Sequence, residues 1–148
     1  MRAFIGLFAC VAAVAASGAA LAQSPADMLE RFGLLGRWSD NCEFAAATKN
    51  DLYYYTFERV SGGTGAQLRM GSAVRMIDNV RSQAGKTIAF RLLAPPGPDE
   101  KLSSDQVIQF EGNRYRTISS ITADGQAFIQ NGTNVRTGRP TIWSYRCP

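Results

Sequence analysis

The chain contains no histidine. That removes the commonest general base and nitrogen ligand for metals, and with them the Ser-His and Cys-His routes to nucleophilic catalysis. Gly-x-Ser-x-Gly, Ser-x-x-Lys and phosphate-binding glycine-loop patterns are missing too, and Gly62-Gly63-Thr64-Gly65 suits a hairpin turn instead. Carboxylate pairs are the remaining catalytic chemistry. Glu43, Glu58 and Glu111 are the candidates, but such residues ordinarily stand on a solvated surface, and the sequence sets no two of them at the separation glycoside hydrolysis requires. Asp40, Asn41 and Glu43 supply too few oxygen ligands for a calcium loop and suit a turn. No enzymatic activity, cofactor or metal site is expected.

Lysine is scarce: three residues against thirteen arginines, with a formal net charge of +4 and no basic block. Arg59, Arg69, Arg75, Arg81, Arg91, Arg114 and Arg116 are instead spread along extended segments, often at alternate positions, as on the solvated face of a sheet. Solubility and cross-strand ion pairing account for that pattern. A binding role would require several of them to converge on one anionic surface. Nucleic acid is not an expected partner.

Long apolar runs are also lacking. The one apolar stretch, 4–16, is diluted by alanine and falls short of the roughly 20 strongly apolar residues that a bilayer requires. Preceded by Arg2 and followed by Ala20-Leu21-Ala22, it reads as a signal peptide over residues 1–22, cleaved before Gln23. A periplasmic or secreted protein without stable membrane insertion is expected. Leu7-Phe8-Ala9-Cys10 resembles a lipoprotein signal, but Phe8 is bulky for that role and the apolar stretch continues beyond Cys10. Cleavage removes one of three cysteines and leaves Cys42 and Cys147, whose pairing is the only intramolecular option in an oxidising compartment. That bond closes most of the mature chain into a loop, worth about 4 to 5 kcal/mol in the chain-entropy picture.

What is present is a succession of strand signals. Residues 23–33 open with Ser24-Pro25-Ala26-Asp27, a helix start, and read as a short N-terminal helix or arm. The domain proper is 34–148. Its first strand, 34–44, bends at Ser39-Asp40-Asn41, and 45–51 is a loop. The strongest strand signal is 52–60, aromatic and β-branched and ended by the glycine-rich turn. Strands are expected at 67–71, 73–82 and 87–93, with Val74, Met76 and Val80 alternating against Arg75, Asn79 and Arg81. A proline-rich loop at 94–100 forbids regular structure. Strands at 105–111, 114–122, 126–130 and 141–146 follow, separated by turns at Gly112-Asn113, Ala123-Asp124-Gly125 and Asn131-Gly132. Asn131-Gly132-Thr133 also fits a glycosylation sequon, although the turn is reason enough for it. About eight short strands with no helix between them predict an all-β fold, an antiparallel up-and-down barrel with a short N-terminal helix, or else a compact sandwich. The barrel is favoured because it leaves no edges and sets the first and last strands side by side.

At Gly36-Arg37-Trp38 on the first strand and Arg146 on the last, the chain resembles the calycin superfamily of lipocalin-like barrels. It also looks like one of the small exported proteins of proteobacteria with this tryptophan and terminal-cysteine pattern. The calycin resemblance implies that Gly36 and Trp38 open the barrel, that Trp38 plugs its closed end, and that Arg146 stacks over the indole. If Cys42 lies opposite Cys147 in an uninterrupted antiparallel pair, Trp38 falls far from Arg146. Both contacts together require a bend at 39–41; otherwise Arg136 or Arg139 is the stacking partner.

On the aromatic strand, Tyr53, Tyr55 and Phe57 share one face, and Leu52, Tyr54, Thr56 and Glu58 the other. The first set, with Phe90 and Phe110, can line an apolar pocket for a small hydrophobic or amphipathic ligand. It can equally fill a solid core, as in other small barrels. The expected function is a non-enzymatic barrel that binds such a ligand opposite Trp38. The alternative is a protein-binding module, such as a hydrolase or protease inhibitor, a role that the resemblance also implies.

Overall fold

The computed structural model describes residues 23–95 and 100–148. The leader at 1–22, with Cys10, and positions 96–99 of the proline-rich loop lie outside the described residues. Ten strands follow one another as β1 Gly36–Ser39, β2 Tyr55–Arg59, β3 Ala66–Met70, β4 Ala73–Gln83, β5 Thr87–Leu93, β6 Ser104–Glu111, β7 Arg114–Thr122, β8 Ala127–Gln130, β9 Thr133–Asn134 and β10 Ser144–Arg146. Each pairs antiparallel with its successor from β1 to β9, and β10 returns to lie between β7 and β1. The closed unit is an eight-stranded barrel of β1–β7 and β10, and the fold is all-β. The β8–β9 hairpin is a detour on the far half of β7, where Ser120 faces Ile129. Its tight turn works because Asn131 and Gly132 both hold positive φ, 51° and 72°, and few residue pairs accept that.

The N-terminal helix, α1 at Pro25–Arg31, forms as its residues dictate: Ser24 caps it by accepting from Asp27 N at 3.2 Å, and Pro25 stands in the first turn. Ala26 and Leu29 are buried on its inner face, across the end of the barrel. Ala26 N donates to Thr64 O at 3.3 Å, and Arg59 on β2 binds Asp27 and Glu30 at 2.9 Å each. Arg69 with Glu58, Arg91 with Asp105 and Arg114 with Glu111 make further pairs on the barrel's outer face. The paired arginines are therefore dispersed among separate acidic partners, while Arg114 and Arg116 share the ring of Trp143 at 4.3 and 4.8 Å.

Two expectations are overturned. A second helix, α2 at Cys42–Thr48, occupies a stretch expected to be strand and loop. Asn41, read as a turn residue, is its N-cap and accepts from Phe44 N at 2.9 Å; Ala45, Ala46 and Ala47 then favour the helix. On β4, Val74 and Met76 point outward and Ile77 is buried. The alternation fails because Asn79, at φ 51°, opens a bulge that sets two residues of β4 against Phe90 and resets the inward face to Val80.

Candidate functional site

The barrel interior divides into a plugged end and a hollow end. At the plugged end Trp38 is 2% exposed; its indole N–H donates to Leu34 O at 2.8 Å, and its ring meets Tyr115 edge-on with centroids 5.1 Å apart. Trp38 and Arg146 are direct partners in the β1–β10 register. The Arg146 guanidinium lies 5.5 Å from the indole centroid and donates to Gly33 O at 2.8 Å and Leu35 O at 2.6 Å. Gly36 makes room for it: its φ is 134°, and a Cβ there would stand 3.2 Å from Arg146 Nη2. Arg146, rather than Arg136 or Arg139, is the stacking partner. The disulfide forms as well, with Cys42 and Cys147 Cα atoms 5.4 Å apart. Both contacts coexist because the strand stops at Ser39 and the chain turns into α2, whose first residue is Cys42. The bend at 39–41 is thus a helix entry.

At the other end a cavity of about 690 Å³ runs into the barrel, partly open to solvent. Its deeper wall comes from alternate positions on the central strands: Phe57, Phe90, Ile108 and Tyr115, all buried, with half-buried Leu68, the register partner of Phe57, and Leu92. Phe57 meets Phe90 and Tyr115 edge-to-face at 6.1 and 5.8 Å. Strand register sets Phe90, Gln106, Ser120 and Ile129 in one row across β5 to β8. Gln106 Nε2 donates to Ser104 Oγ at 2.8 Å and Ser120 Oγ at 2.7 Å, making a polar station on a wall that also carries Thr117 and Ser144. The rim is built from the β1–β2 connection, with Asp40, Leu52 and Tyr53, and from the segment after β9, with Thr137, Arg139 and Ile142. Thr141 anchors that segment by donating to Thr117 O at 2.8 Å and Gly132 O at 3.2 Å.

Of the five aromatic residues singled out from the sequence, Phe57 and Phe90 lie in the deep wall, and Tyr53 and Tyr55 stand exposed at the rim. Tyr53 is not on β2 but in a single 3-10 turn, Asp51–Tyr53, where its ring meets Phe44 at 5.0 Å. Asn50 caps that turn by accepting from Leu52 N, which is why the extended segment begins only at Tyr55. Phe110 is elsewhere: it packs against Phe32 and Trp38 at 6.3 and 6.4 Å, at the plugged end, because two further residues along β6 carry it below the floor set by Ile108. Gln106 and Ser120 escaped the sequence reading although period-two alternation from Ile108 points Gln106 inward. The final strand begins at Ser144, later than expected: Thr141 and Ile142 belong to the rim, and the Trp143 ring lies under Arg114 and Arg116.

Electrostatically the interior is quiet. Burial pushes the Tyr115 hydroxyl well above its ordinary value, against a hydrogen bond with Ser144 that lowers it, so the phenol stays neutral. Asp40 and Arg139, the charged lining residues among those described, both stand exposed at the rim. No group of three or more metal-ligating side chains exists among the described residues, and no helix there is long and apolar enough to cross a membrane. The arrangement can enclose an apolar body and offer it neutral hydrogen bonds. No protein-family model matches the chain, and neither curated proteins nor solved structures yield a match.

Proposed function

We propose that this barrel is an exported, non-enzymatic carrier or sensor of a small hydrophobic or amphipathic molecule, held in the cavity opposite Trp38. The observation that carries this reading is the cavity itself: about 690 Å³, within the range of small-molecule sites, with an aromatic and aliphatic deep wall and a polar station at Gln106 and Ser120. Phe57 and Phe90 supply the floor and Tyr53 and Tyr55 the entrance, and Trp38 closes the opposite end. The barrel architecture and neutral lining favour binding over chemistry, and a calycin-like assignment agrees with the plug geometry.

Titration with the neutral fluorophore N-phenyl-1-naphthylamine tests this. Saturable, one-to-one enhancement is expected, and it should disappear in Ile129→Trp, which fills the cavity from β8, while the thermal midpoint is kept. Absence of saturable binding, or equal binding by the filled variant, would overturn the proposal. Native mass spectrometry of protein purified from its own compartment then identifies any co-purifying mass. A second reading, a protein-binding module such as a hydrolase inhibitor, is favoured by the apolar rim, where Leu52 and Ile142 are 60% and 71% exposed.

A further inference from the structure

We infer that the cavity selects an uncharged ligand carrying a hydroxyl or carboxamide, recognised by the Gln106–Ser120 pair, and discriminates against the ionised acid of the same shape. This rests on the ligand-binding reading above and names the chemical class that the site takes.

The inference begins with how the station's valences are used. A glutamine amide has two N–H donors and one carbonyl acceptor. Both donors of Gln106 are spent, on Ser104 Oγ and Ser120 Oγ. Among the described residues nothing donates to its Oε1, and no buried side-chain oxygen or nitrogen there lacks a partner. That oxygen therefore retains access to open space, which on the inward face of β6 is the cavity. Ser120 accepts from Gln106, so its own hydroxyl proton is free to donate. The station offers one acceptor beside one donor, the complement of a group that both donates and accepts.

Position fixes the rest. Gln106 and Ser120 share a row with Phe90 and Ile129, one row nearer the mouth than Ile108, so a ligand bound there rests its apolar body on Phe57, Phe90 and Ile108. A carboxylate at this depth meets an acceptor in Gln106 Oε1, and the one cation among the described lining residues, Arg139, stands exposed at the rim. Asp40, the lining carboxylate, is exposed there too. Burying an ion without a partner is strongly disfavoured, and leaving a made-to-pair polar station unmatched is also costly. The hydrocarbon without a polar group loses the station, and the acid is repelled by it.

The test is displacement of N-phenyl-1-naphthylamine at pH 7 by a matched series: 2-naphthamide, 2-naphthol, naphthalene and 2-naphthoate. The amide and the alcohol should bind at least about tenfold more tightly than naphthoate, which is ionised at this pH, with naphthalene between. Gln106→Leu, with its fluorophore affinity measured afresh, should bring the amide down to naphthalene's level. Tightest binding by naphthoate, or an unchanged ranking in Gln106→Leu, would overturn the inference and leave the carrier reading standing. Failure of the fluorophore and of every competitor to bind would overturn both.

Discussion

At the plugged end, one 2%-exposed indole is hydrogen-bonded, stacked by a guanidinium and wedged against Tyr115, whereas at the mouth Leu52 and Ile142 are left 60% and 71% exposed beside a void of about 690 Å³. The first end buries Trp38, Leu29 and Leu34 almost completely, and α1 lies over it. The second keeps apolar surface in water, which is unfavourable to the folded state, and holds an acceptor open toward the cavity. Stability is concentrated where nothing can enter, and the tolerated imperfections gather where something can. Substitutions at the two ends should therefore separate into those that move stability and those that move binding.

The largest effect is expected at the plug. Trp38→Ala should lower the unfolding free energy by about 3 to 5 kcal/mol, measured by denaturant titration, because the rings of Phe110 and Tyr115 lose their central partner. Next comes the Cys42–Cys147 bond, which joins residues 105 apart; its reduction should cost about 2 to 5 kcal/mol. A non-reduced sample that alkylates at two thiols would end that claim. Gly36→Ala should cost about 1 to 3 kcal/mol through positive φ and crowding of Arg146, and an unchanged midpoint would mean the guanidinium is free to move. Tyr55→Ala at the mouth should change stability by no more than about 0.5 kcal/mol while weakening fluorophore binding, the reverse of the plug substitutions. A stability loss there comparable with Trp38→Ala would dissolve the distinction between the ends.

The smallest effect is acid sensitivity. A hydrogen bond with Ser24 and the Arg59 guanidinium hold the Asp27 carboxyl below its ordinary value near 3.8, and Arg91 does the same to Asp105. Carboxyls depressed in the folded state contribute stability above that value and lose it as pH falls through and below it. Melting at pH 7 and at pH 3 should show the Arg59→Gln variant losing less on acidification than the parent, since it has already given up part of the Asp27 contribution.

The plugged end was legible in the sequence because its parts are short-range signals: a Gly-x-Trp on the first strand, a helix opened by Ser24-Pro25, and cysteines with one way to pair. The strand succession was legible for the same reason, through turns such as Asn131-Gly132 and the unbroken segments over β5 and β7. The mouth was not. Its walls depend on phase, and phase is reset by bulges: at Asn79 on β4, beside Ile118 on β7, and at Phe128 on β8. Asn41 and Asn50 carry the same chemistry as turn residues, so the helix and the 3-10 turn they cap were read as bend, loop and strand. Phe110 was assigned to the pocket by residue type, but depth along β6 decides its neighbours. The rim segment at 137–142 has no period at all, being held by Thr141 to the backbone of β7 and of the β8–β9 turn.

The pairing of Trp38 with Arg146 also bears on when the protein can fold. A chain that leaves a ribosome or an export channel N-terminal side first presents Gly36 and Trp38 early and residues 144–147 late. Until those late residues arrive, β1 has no partner on one side, the indole has no cation over it, and Cys42 has no thiol to meet. The barrel therefore cannot shut until the last strand has been released, and closure and oxidation come together as the final steps of folding.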